Sequence, residues 1–167
     1  MQIDIGFGDT IFPQPAEVTI PSILDFSSPE LKGYTIESSI AEKFQAMLQL
    51  GLLNSRMKDF YDIWLYSRKF EFKFEVLTEA IKNTFITRSY QISSPDIIVV
   101  FKDDFAKIKQ PQWNAFRKRI DLQSVPESFS DIISVVSSFL LPIAKVIYNN
   151  ESDIFGTWKS PGFWIFH

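Results

Sequence analysis

Charged side chains in three short segments are the residues of this chain best suited to chemistry. Asp4 lies in IDIGFGD, Lys43 lies in IAEKF, and Asp59 and Asp62 lie in NSRMKDFYD. Carboxylates can bind the metal ions that assist phosphoryl transfer, and a lysine ammonium can neutralise a polyphosphate. A carboxylate beside the lysine could orient its ammonium or a metal-bound water. These residue types fit chemistry at a phosphate, provided that the fold brings them to one cleft.

Each of these residues also has a purely structural interpretation. Asp4 could occupy the solvent face of an edge strand, and Lys43 could cover apolar surface with its aliphatic stem. Asp59 and Asp62, three residues apart on one predicted helix, could form ordinary ion pairs with the basic residues beside them. On the helical wheel Asp59 lies near the packed edge and Asp62 farther out. Spacing alone leaves both interpretations open.

The strand that would position Asp4 opens the chain. Apolar residues alternate there with polar ones, at Ile3, Ile5 and Phe7. This pattern predicts a half-buried strand with the Asp4 carboxylate on its polar face. The following residues, 10–34, contain four prolines and favour loops and brief strands, one of which would include Val18 and Ile20.

Two successive helices would position the other charged residues. The first is predicted over residues 35–51, with Thr35 as its N-cap and Gly51 at its end. Its apolar face consists of Ile40, Phe44, Met47 and Leu48. The second helix follows a short loop, with Asn54 or Ser55 as its cap. Its inward face consists of Phe60, Ile63, Trp64 and Ser67.

The rest of the chain is mostly helical in pattern. FEFKFEV, residues 70–76, could be a strand, but the residues that follow it have helical periodicity, so this segment stays ambiguous. Helices are predicted over residues 112–122 and 128–149, and the second of these is expected to be a buried helix, since a proline and a lysine interrupt its apolar run. The aromatic tail, residues 156–167, is expected to be irregular.

Composition limits the class of protein. The 167 residues include 46% hydrophobic residues, 17 phenylalanines and no cysteine, which predicts a substantial core without disulfides or thiolate metal sites. The formal net charge of −3 gives no global attraction to nucleic acid or lipid. The first residues lack the pattern of a secretory signal, so we expect a cytoplasmic protein without a membrane span. The expected fold class is α+β.

A basic segment, residues 105–120, suggests a second kind of contact. Aromatic residues alternate there with basic ones, and the set consists of Lys107, Lys109, Trp113, Phe116, Arg117, Lys118 and Arg119. Such residues could contact an RNA backbone and stack on a base. The alternative is a solvated helix face. His167, the one histidine, is the last residue and is a poor catalytic base, because nothing there fixes its orientation.

Three segments together resemble the AbiEii/AbiGii toxin family of nucleotidyltransferase-like proteins. They are IDIGFGD, YTIESSIAEKFQAML and NSRMKDFYDIWLY, in this order and at these separations. The resemblance is strong over residues 3–66. Two less specific patterns farther along the chain are similar to the helical C-terminal region of the family. The first is AIKNTF followed, after two residues, by arginine. The second is a tryptophan, a phenylalanine and an arginine at intervals of three residues.

The resemblance implies a fold, a reaction and a set of site residues. It implies a small remnant of a nucleotidyltransferase-type β-sheet in residues 1–34 and a mainly helical bundle packed on it in residues 35–167. It implies Mg²⁺-dependent transfer of a nucleotide from an NTP to an RNA such as tRNA, by the toxin of a toxin–antitoxin or abortive-infection pair. Carried over by position, the metal-binding and catalytic carboxylate is Asp4, the other catalytic residues are Lys43, Asp59 and Asp62, and the nucleotide-binding residues are Lys43, Arg56 and Lys58.

Two motifs of the family do not occur in this sequence. They are a Gly-containing turn that holds phosphate and a D-x-D strand that binds the metals, both of which precede the acidic strand in family members. We therefore expect a truncated toxin, corresponding to the C-terminal portion of the family and inactive alone, since one Asp cannot hold two Mg²⁺ ions and a triphosphate. The alternative is a non-catalytic helical module that binds an antitoxin protein or RNA. A homodimer through the strand at residues 3–7 would cover an exposed edge.

Overall fold

A computed structural model describes residues 11–19, 27–28, 30–120 and 125–167, which form five α-helices and five short strands. The helices are α1 (Ile36–Leu50), α2 (Met57–Lys69), α3 (Phe74–Thr87), α4 (Asp103–Ile120) and α5 (Phe129–Asn149). The strands are β1 (Ala16–Thr19), β2 (Glu30–Gly33), β3 (Phe72–Lys73), β4 (Gly156–Lys159) and β5 (Phe163–Phe166). Three short 3₁₀ turns are Gly51–Leu53, Pro95–Ile97 and Val99–Phe101. This mixed and mostly helical architecture confirms the α+β prediction.

Helix α1 begins and ends where the sequence predicts. The Thr35 hydroxyl accepts a hydrogen bond from the backbone N–H of Ser38, which satisfies one of the free donors at the helix start. At the other end Gly51 has a φ of +51°, a conformation that residues with a Cβ rarely adopt, and its N–H bonds the Met47 carbonyl. Because both ends are fixed locally, the register of the helix and the position of Lys43 are fixed with them.

Helix α2 begins later than its predicted caps. Asn54, which is fully buried, accepts a 2.8 Å hydrogen bond from the backbone N–H of Arg56, two residues on. This hydrogen bond holds the loop in a turn, and neither Asn54 nor Ser55 is the N-cap. The N-cap is Arg56, which makes no side-chain capping bond. The inward face of α2 is as predicted, and all four of its members are buried.

Helix α5 is the centre of the core. Nine of its residues are buried, and the helix packs against α2, α3 and α4. Of the helices in the described ranges, α5 alone is long and apolar enough to cross a bilayer. Its apolar face is covered by protein, which agrees with the predicted buried helix. Nine buried side chains on one helix hold its three neighbours in place, and α2 with its acidic residues is one of them.

Helix α4 starts at Asp103, well before the predicted start at residue 112. The predicted helix began after Pro111, and a proline inside a helix removes a hydrogen bond and costs about 3 kcal/mol. Phe105 lies before the proline and Trp113 and Phe116 lie after it, and all three are buried. Burying large aromatic side chains on one helix face is worth more than the lost bond, so the helix continues through the proline.

The aromatic tail is a β-hairpin, and the prediction of an irregular segment is wrong. Strand β4 pairs antiparallel with β3 on one side and with β5 on the other, so that Trp158 lies opposite both Phe72 and Trp164. The Trp158 indole donates a 2.6 Å hydrogen bond to the carbonyl of Ser67, at the end of α2. The ambiguous segment FEFKFEV accordingly divides between the two-residue strand β3 and the start of α3.

The N-terminal region is described only in part. Strands β1 and β2 form an antiparallel pair, so the expected short strand at Val18 exists, whereas Ile20 lies outside the described residues. Phe12 is bound to α1, because the Ser38 hydroxyl accepts a hydrogen bond from its N–H at 3.1 Å and donates one to its carbonyl at 2.8 Å. The opening strand at residues 3–7, Asp4 within it and the dimer expected there lie outside the described residues.

Candidate functional site

Lys43 lies beside both carboxylates of α2. Its ammonium Nζ is 3.3 Å from Oδ1 of Asp59 and 2.9 Å from Oδ2 of Asp62. Helices α1 and α2 follow one another across a short turn and pack together, which brings the middle of α1 to the first two turns of α2. The structure thus joins three of the residues singled out from the sequence.

Both carboxylates are buried, and this corrects the expected exposure of Asp62. The Asp59 side chain is 5% exposed and the Asp62 side chain is 10% exposed. Two lysines, Lys43 and Lys58, contact the Asp62 carboxylate, and long basic side chains can cover polar groups as well as apolar ones. Helical spacing did not foresee this cover, because it comes in part from a neighbouring helix.

Two further basic residues complete the group. The Arg56 Nε lies 2.8 Å from Oδ2 of Asp59, as an ion pair without hydrogen-bond alignment, and the Lys58 ammonium donates a 2.7 Å hydrogen bond to Oδ2 of Asp62. The charges alternate from one side chain to the next. We call this set the charge cluster, and its members in order of contact are Arg56, Asp59, Lys43, Asp62 and Lys58. Three cations and two carboxylates give it a net charge of +1.

The pKa of Lys43 is raised above its ordinary value of 10.5. Burial has the largest single effect and lowers this pKa, but the hydrogen bonds and negative charges of Asp62 and Asp59 together outweigh it. Lys43 is therefore a cation throughout the physiological pH range. A permanently charged ammonium suits electrostatic binding of an anion, and it is unsuited to removing a proton as a general base.

Raising the pH is expected to weaken the fold through Lys43 only in strongly alkaline solution. A pKa that is higher in the folded than in the unfolded chain means that protonated Lys43 stabilises the fold. This contribution is complete below the unfolded pKa of 10.5 and is lost as the pH rises through the folded value. We expect the difference in free energy of unfolding between the chain and a Lys43→Met variant to be constant from about pH 7 to about pH 9 and to shrink above about pH 10.5. A difference that grows as the pH rises, measured by urea titration, would contradict this.

Two clefts open beside the charge cluster. The first, which we call the α1 cleft, has a volume of about 560 Å³ and is lined by Lys43 and other polar residues of α1, and by Arg56 at the start of α2. The second, which we call the α2–α4 groove, has a volume of about 660 Å³ and lies between the start of α2 and the second half of α4. Arg56 lines both. The two spaces therefore adjoin one another at a charged side chain.

The α1 cleft is positively charged. Its lining includes three cations, Lys43, Arg56 and Arg88, against the single carboxylate of Glu42, which pairs with Arg88 at 2.8 Å. Gln45 and Gln49, joined by a 3.0 Å hydrogen bond, add neutral polar groups to the wall. A polar cleft with several cations fits a polyphosphate, since ammonium and guanidinium groups form short charge-assisted hydrogen bonds with phosphate oxygens.

The described residues do not fit a magnesium site. No group of three metal-ligating side chains occurs among them, and the two carboxylates of the charge cluster already contact three cations. Magnesium is usually bound by one or two carboxylates together with water and substrate phosphates, whereas the Asp59 and Asp62 carboxylates are buried in ion pairs with cations. Asp4, the expected ligand, lies outside the described residues.

Of the two interpretations of the basic segment, the stacking of RNA bases on the α4 rings is contradicted by the structure. Trp113 is fully buried and donates a 3.0 Å hydrogen bond to the Pro126 carbonyl, and Phe116 is buried as well. Lys109 is also buried, with its ammonium 5.7 Å from the centre of the Phe105 ring. These rings belong to the core, which the alternation of aromatic and basic letters could not show.

Two arginines outside the predicted site residues line the clefts; the sequence singled out Arg119 only as part of the basic segment, and it did not single out Arg88. Arg88 lies in the α1 cleft and Arg119 in the α2–α4 groove. A signal for both was present, because each is the arginine that ends one of the two weaker C-terminal patterns of the family resemblance. Glu42, next to Lys43 in AEK, also lines the α1 cleft, and sequence analysis predicted no role for it.

Comparison with known proteins gives one family. A family profile described as the nucleotidyl transferase AbiEii toxin of type IV toxin–antitoxin systems matches residues 1–135, most of the chain. No curated protein and no solved structure matched. The matched region contains the whole charge cluster and every residue that lines the two clefts.

Proposed function

Since this chain belongs to the AbiEii family of nucleotidyl transferase toxins, which form type IV toxin–antitoxin systems, we propose that its α1 cleft binds the phosphates of a nucleoside triphosphate. The observation that carries the proposal is the Lys43 ammonium, held at the cleft wall by two buried carboxylates. An ammonium has three N–H donors, and two carboxylates take two of them. The third can be donated to a phosphate oxygen.

The five members of the charge cluster have different roles in this proposal. Lys43 and Arg56 contact phosphate from the cleft wall, and Lys58 adds positive charge from the exposed end of the cluster. Asp59 and Asp62 act through Lys43 as positioning residues, because each holds the ammonium by a direct contact. Fixing a long, flexible lysine before the ligand arrives lowers the entropic cost of binding.

Transfer chemistry requires more than these residues. The family implies Mg²⁺ as the cofactor, an RNA such as tRNA as the acceptor and an antitoxin as the partner, in the cytoplasm. Asp4 would have to supply a metal ligand, since Asp59 and Asp62 are paired with cations. The D-x-D and Gly-turn motifs are not among the 167 residues. We therefore expect this chain to bind a nucleotide without transferring it.

Calorimetric titration of the purified chain tests nucleotide binding. We expect at least one of ATP, GTP, CTP and UTP to bind in the micromolar to millimolar range, and the matching nucleoside, which lacks phosphates, to bind more weakly. The comparison with the nucleoside is the control, because it removes the phosphates and keeps the base. Failure of all four triphosphates at millimolar concentration would overturn the proposal.

A transfer assay separates a binding protein from an active enzyme. Incubation of the chain with each radiolabelled triphosphate, Mg²⁺ and bulk tRNA is expected to leave the RNA unlabelled. The neutralised carboxylates of the charge cluster favour this outcome and with it the second candidate function, a non-catalytic module. Label incorporated into tRNA by wild-type chain, and lost in a Lys43→Met variant, would show that the module is an enzyme.

A further inference from the structure

Strand β5 lies at the edge of the C-terminal sheet. The strand order is β3–β4–β5, so β5 pairs with β4 on one side, and no other strand in the described ranges pairs with it on the other. An edge strand carries backbone N–H and C=O groups that its own sheet does not satisfy. The outer edge of β5 can therefore receive a further strand.

The outward-facing backbone groups of β5 belong to Trp164 and Phe166. The N–H of His167 donates a 3.0 Å hydrogen bond to the Phe155 carbonyl, which makes these two residues a hydrogen-bonded pair of the hairpin. Bonded and non-bonded pairs alternate along an antiparallel ladder. With the register of β4 and β5, the backbone of Ile165 therefore bonds β4, whereas the N–H and C=O groups of Trp164 and Phe166 point away from it.

This edge lacks the features that usually prevent strand pairing. Natural edge strands are protected by charged side chains, by proline or by bulges, whereas β5 consists of the uncharged residues FWIF. Three of them, Phe163, Ile165 and Phe166, are between 39% and 58% exposed. Lys159, opposite Phe163 on β4, is paired with Glu71 at 2.9 Å. No unpaired charge on the strand or opposite it therefore repels an identical strand.

The strand is held in place from behind by the core. The Trp164 indole lies parallel to the Phe139 ring at 5.6 Å and donates a 3.0 Å hydrogen bond to the Phe139 carbonyl on α5. The rings of Trp164 and Phe166 pack edge-on against Phe74 of α3, at 5.0 and 5.2 Å. Because the strand is already ordered, pairing with it costs little conformational entropy.

The positions of the outward groups make the edge complementary to itself. Ile165 is the one residue between Trp164 and Phe166, so a two-fold axis at Ile165 places Trp164 of each copy opposite Phe166 of the other. Antiparallel pairing in this register satisfies every outward N–H and C=O of both strands. It covers each half-exposed Phe166 with an aromatic neighbour, and it brings the two Ile165 side chains together as a non-bonded pair, the closer of the two kinds.

We infer that β5 pairs antiparallel with β5 of a second copy of this chain, so that the two C-terminal sheets become one continuous sheet. The exposed parts of the three apolar side chains bury roughly 250–300 Å² per copy. The total is below the roughly 1,200 Å² at which stable interfaces begin, so the dimer is reversible, with a Kd on the order of 100 µM. This interface differs from the dimer expected at residues 3–7. It does not depend on the proposed function, since no residue of β5 lines the α1 cleft.

Cysteine cross-linking tests the register directly. The chain contains no cysteine, so Ile165→Cys introduces a single thiol. The two-fold axis places its Cα about 4.5 Å from that of the other copy, within the range for a disulfide. We expect oxidised glutathione to convert the variant into a disulfide-linked dimer at least about fivefold faster than Ile108→Cys, because the pairing raises the effective concentration of the second thiol. Non-reducing electrophoresis measures the two rates.

Ile108→Cys is the matched control. Ile108 is an isoleucine on α4 that is 65% exposed, against 39% for Ile165, so random collision favours the control. Cross-linking of Ile165→Cys that is no faster than that of Ile108→Cys would overturn the inference.

Sedimentation equilibrium measures the dimer of the unmodified chain. We expect the dimer fraction to rise between about 10 µM and about 500 µM chain. Ile165→Lys should weaken the association about tenfold or more, because it places two ammonium groups opposite each other at the axis, and Ile108→Lys should leave it unchanged. A chain that is monomeric at the highest concentration would overturn the inference. A dimer that Ile165→Lys leaves intact would also overturn it and would locate the interface elsewhere, as at residues 3–7.

Urea denaturation of the same preparations separates loss of the dimer from loss of the fold. The Ile165 side chain is partly exposed on the sheet face opposite Trp164, so we expect Ile165→Lys to unfold at the same urea concentration as wild-type when both are dilute and monomeric. If Ile165→Lys unfolds earlier, the cross-linking rates of the two uncharged cysteine variants decide the inference.

Discussion

Replacing Lys43 with methionine is expected to weaken nucleoside triphosphate binding by about 10- to 100-fold. The substitution keeps a long side chain of similar volume and removes the ammonium that faces the α1 cleft. A hydrogen bond to a charged group contributes about 1.5–3 kcal/mol, which corresponds to this range of affinity. Calorimetric titration of wild-type and variant with the best-bound nucleotide measures the effect.

The same substitution is expected to lower the free energy of unfolding by about 1.5–3 kcal/mol. It leaves two buried carboxylates without their shared cation. We expect this loss of stability to be smaller than the loss of about 3–5 kcal/mol that is typical when one partner of a buried ion pair is removed. Arg56 and Lys58 still neutralise the two carboxylates, and the Lys43 side chain is 18% exposed.

Lys107→Met controls for the general effect of removing a lysine. Lys107 is exposed and pairs only weakly, at 3.8 Å, with Asp104, so we expect stability and nucleotide affinity to stay within experimental error. Urea denaturation of both variants at neutral pH gives the comparison. A Lys43→Met chain as stable as wild-type and equally able to bind nucleotide would mean that the charge cluster is an ordinary set of surface ion pairs.

Phe139→Ala is expected to lower the free energy of unfolding by about 3–5 kcal/mol. Phe139 is fully buried on α5 at the point where the C-terminal hairpin packs. Its ring is 4.7 Å from the Trp158 ring and 5.6 Å from that of Trp164, and it lies nearly parallel to the latter. Removal leaves a cavity under three strands, since the Phe72 ring of β3 is also in contact, at 5.2 Å.

Urea denaturation followed by tryptophan fluorescence measures the destabilisation by Phe139→Ala. Two of the four tryptophans contact Phe139 directly, so we expect the emission of the folded variant to shift to longer wavelength as the hairpin loosens. Phe163→Ala is the matched control, because Phe163 is 58% exposed on β5, and we expect it to cost less than about 1 kcal/mol. Equal losses from the two substitutions would contradict the packing described for the hairpin.

Local signals predicted the parts of the fold that depend on neighbours in sequence. Thr35 and Gly51 fix the ends of α1 through contacts within one or two turns, and the apolar periodicity of α5 required no knowledge of its partners. Such features depend on the 3.6-residue period and on capping chemistry. They were accordingly recovered from the sequence alone.

Non-local packing accounts for the expectations that were wrong. The hairpin β4–β5 is stabilised by the pairing of β4 with β3, which lies far away along the chain. Nothing in the local sequence identifies β3 as that partner. Helix α4 continues through Pro111 because aromatic residues on both sides of it are buried. The same burial removes Trp113 from contact with RNA.

The site was predictable in its residue types but not in its pairing. Sequence spacing placed Asp59 and Asp62 on neighbouring positions of one helix and Lys43 at the border of the apolar face of another, and the family resemblance grouped them in one site. Spacing could not show that one ammonium contacts both carboxylates, since this depends on how α1 packs on α2. Arg88, the residue after α3, and Arg119 of α4 line the clefts through packing between helices, which spacing could not show either.

A crystal structure of the chain with a non-hydrolysable nucleoside triphosphate analogue is the most direct test of the site. The account predicts phosphate oxygens within hydrogen-bond distance of the Lys43 ammonium and the Arg56 guanidinium, with Asp59 and Asp62 still in contact with Lys43. A nucleotide bound elsewhere, or an α1 cleft that stays empty of phosphate at saturating analogue, would contradict it.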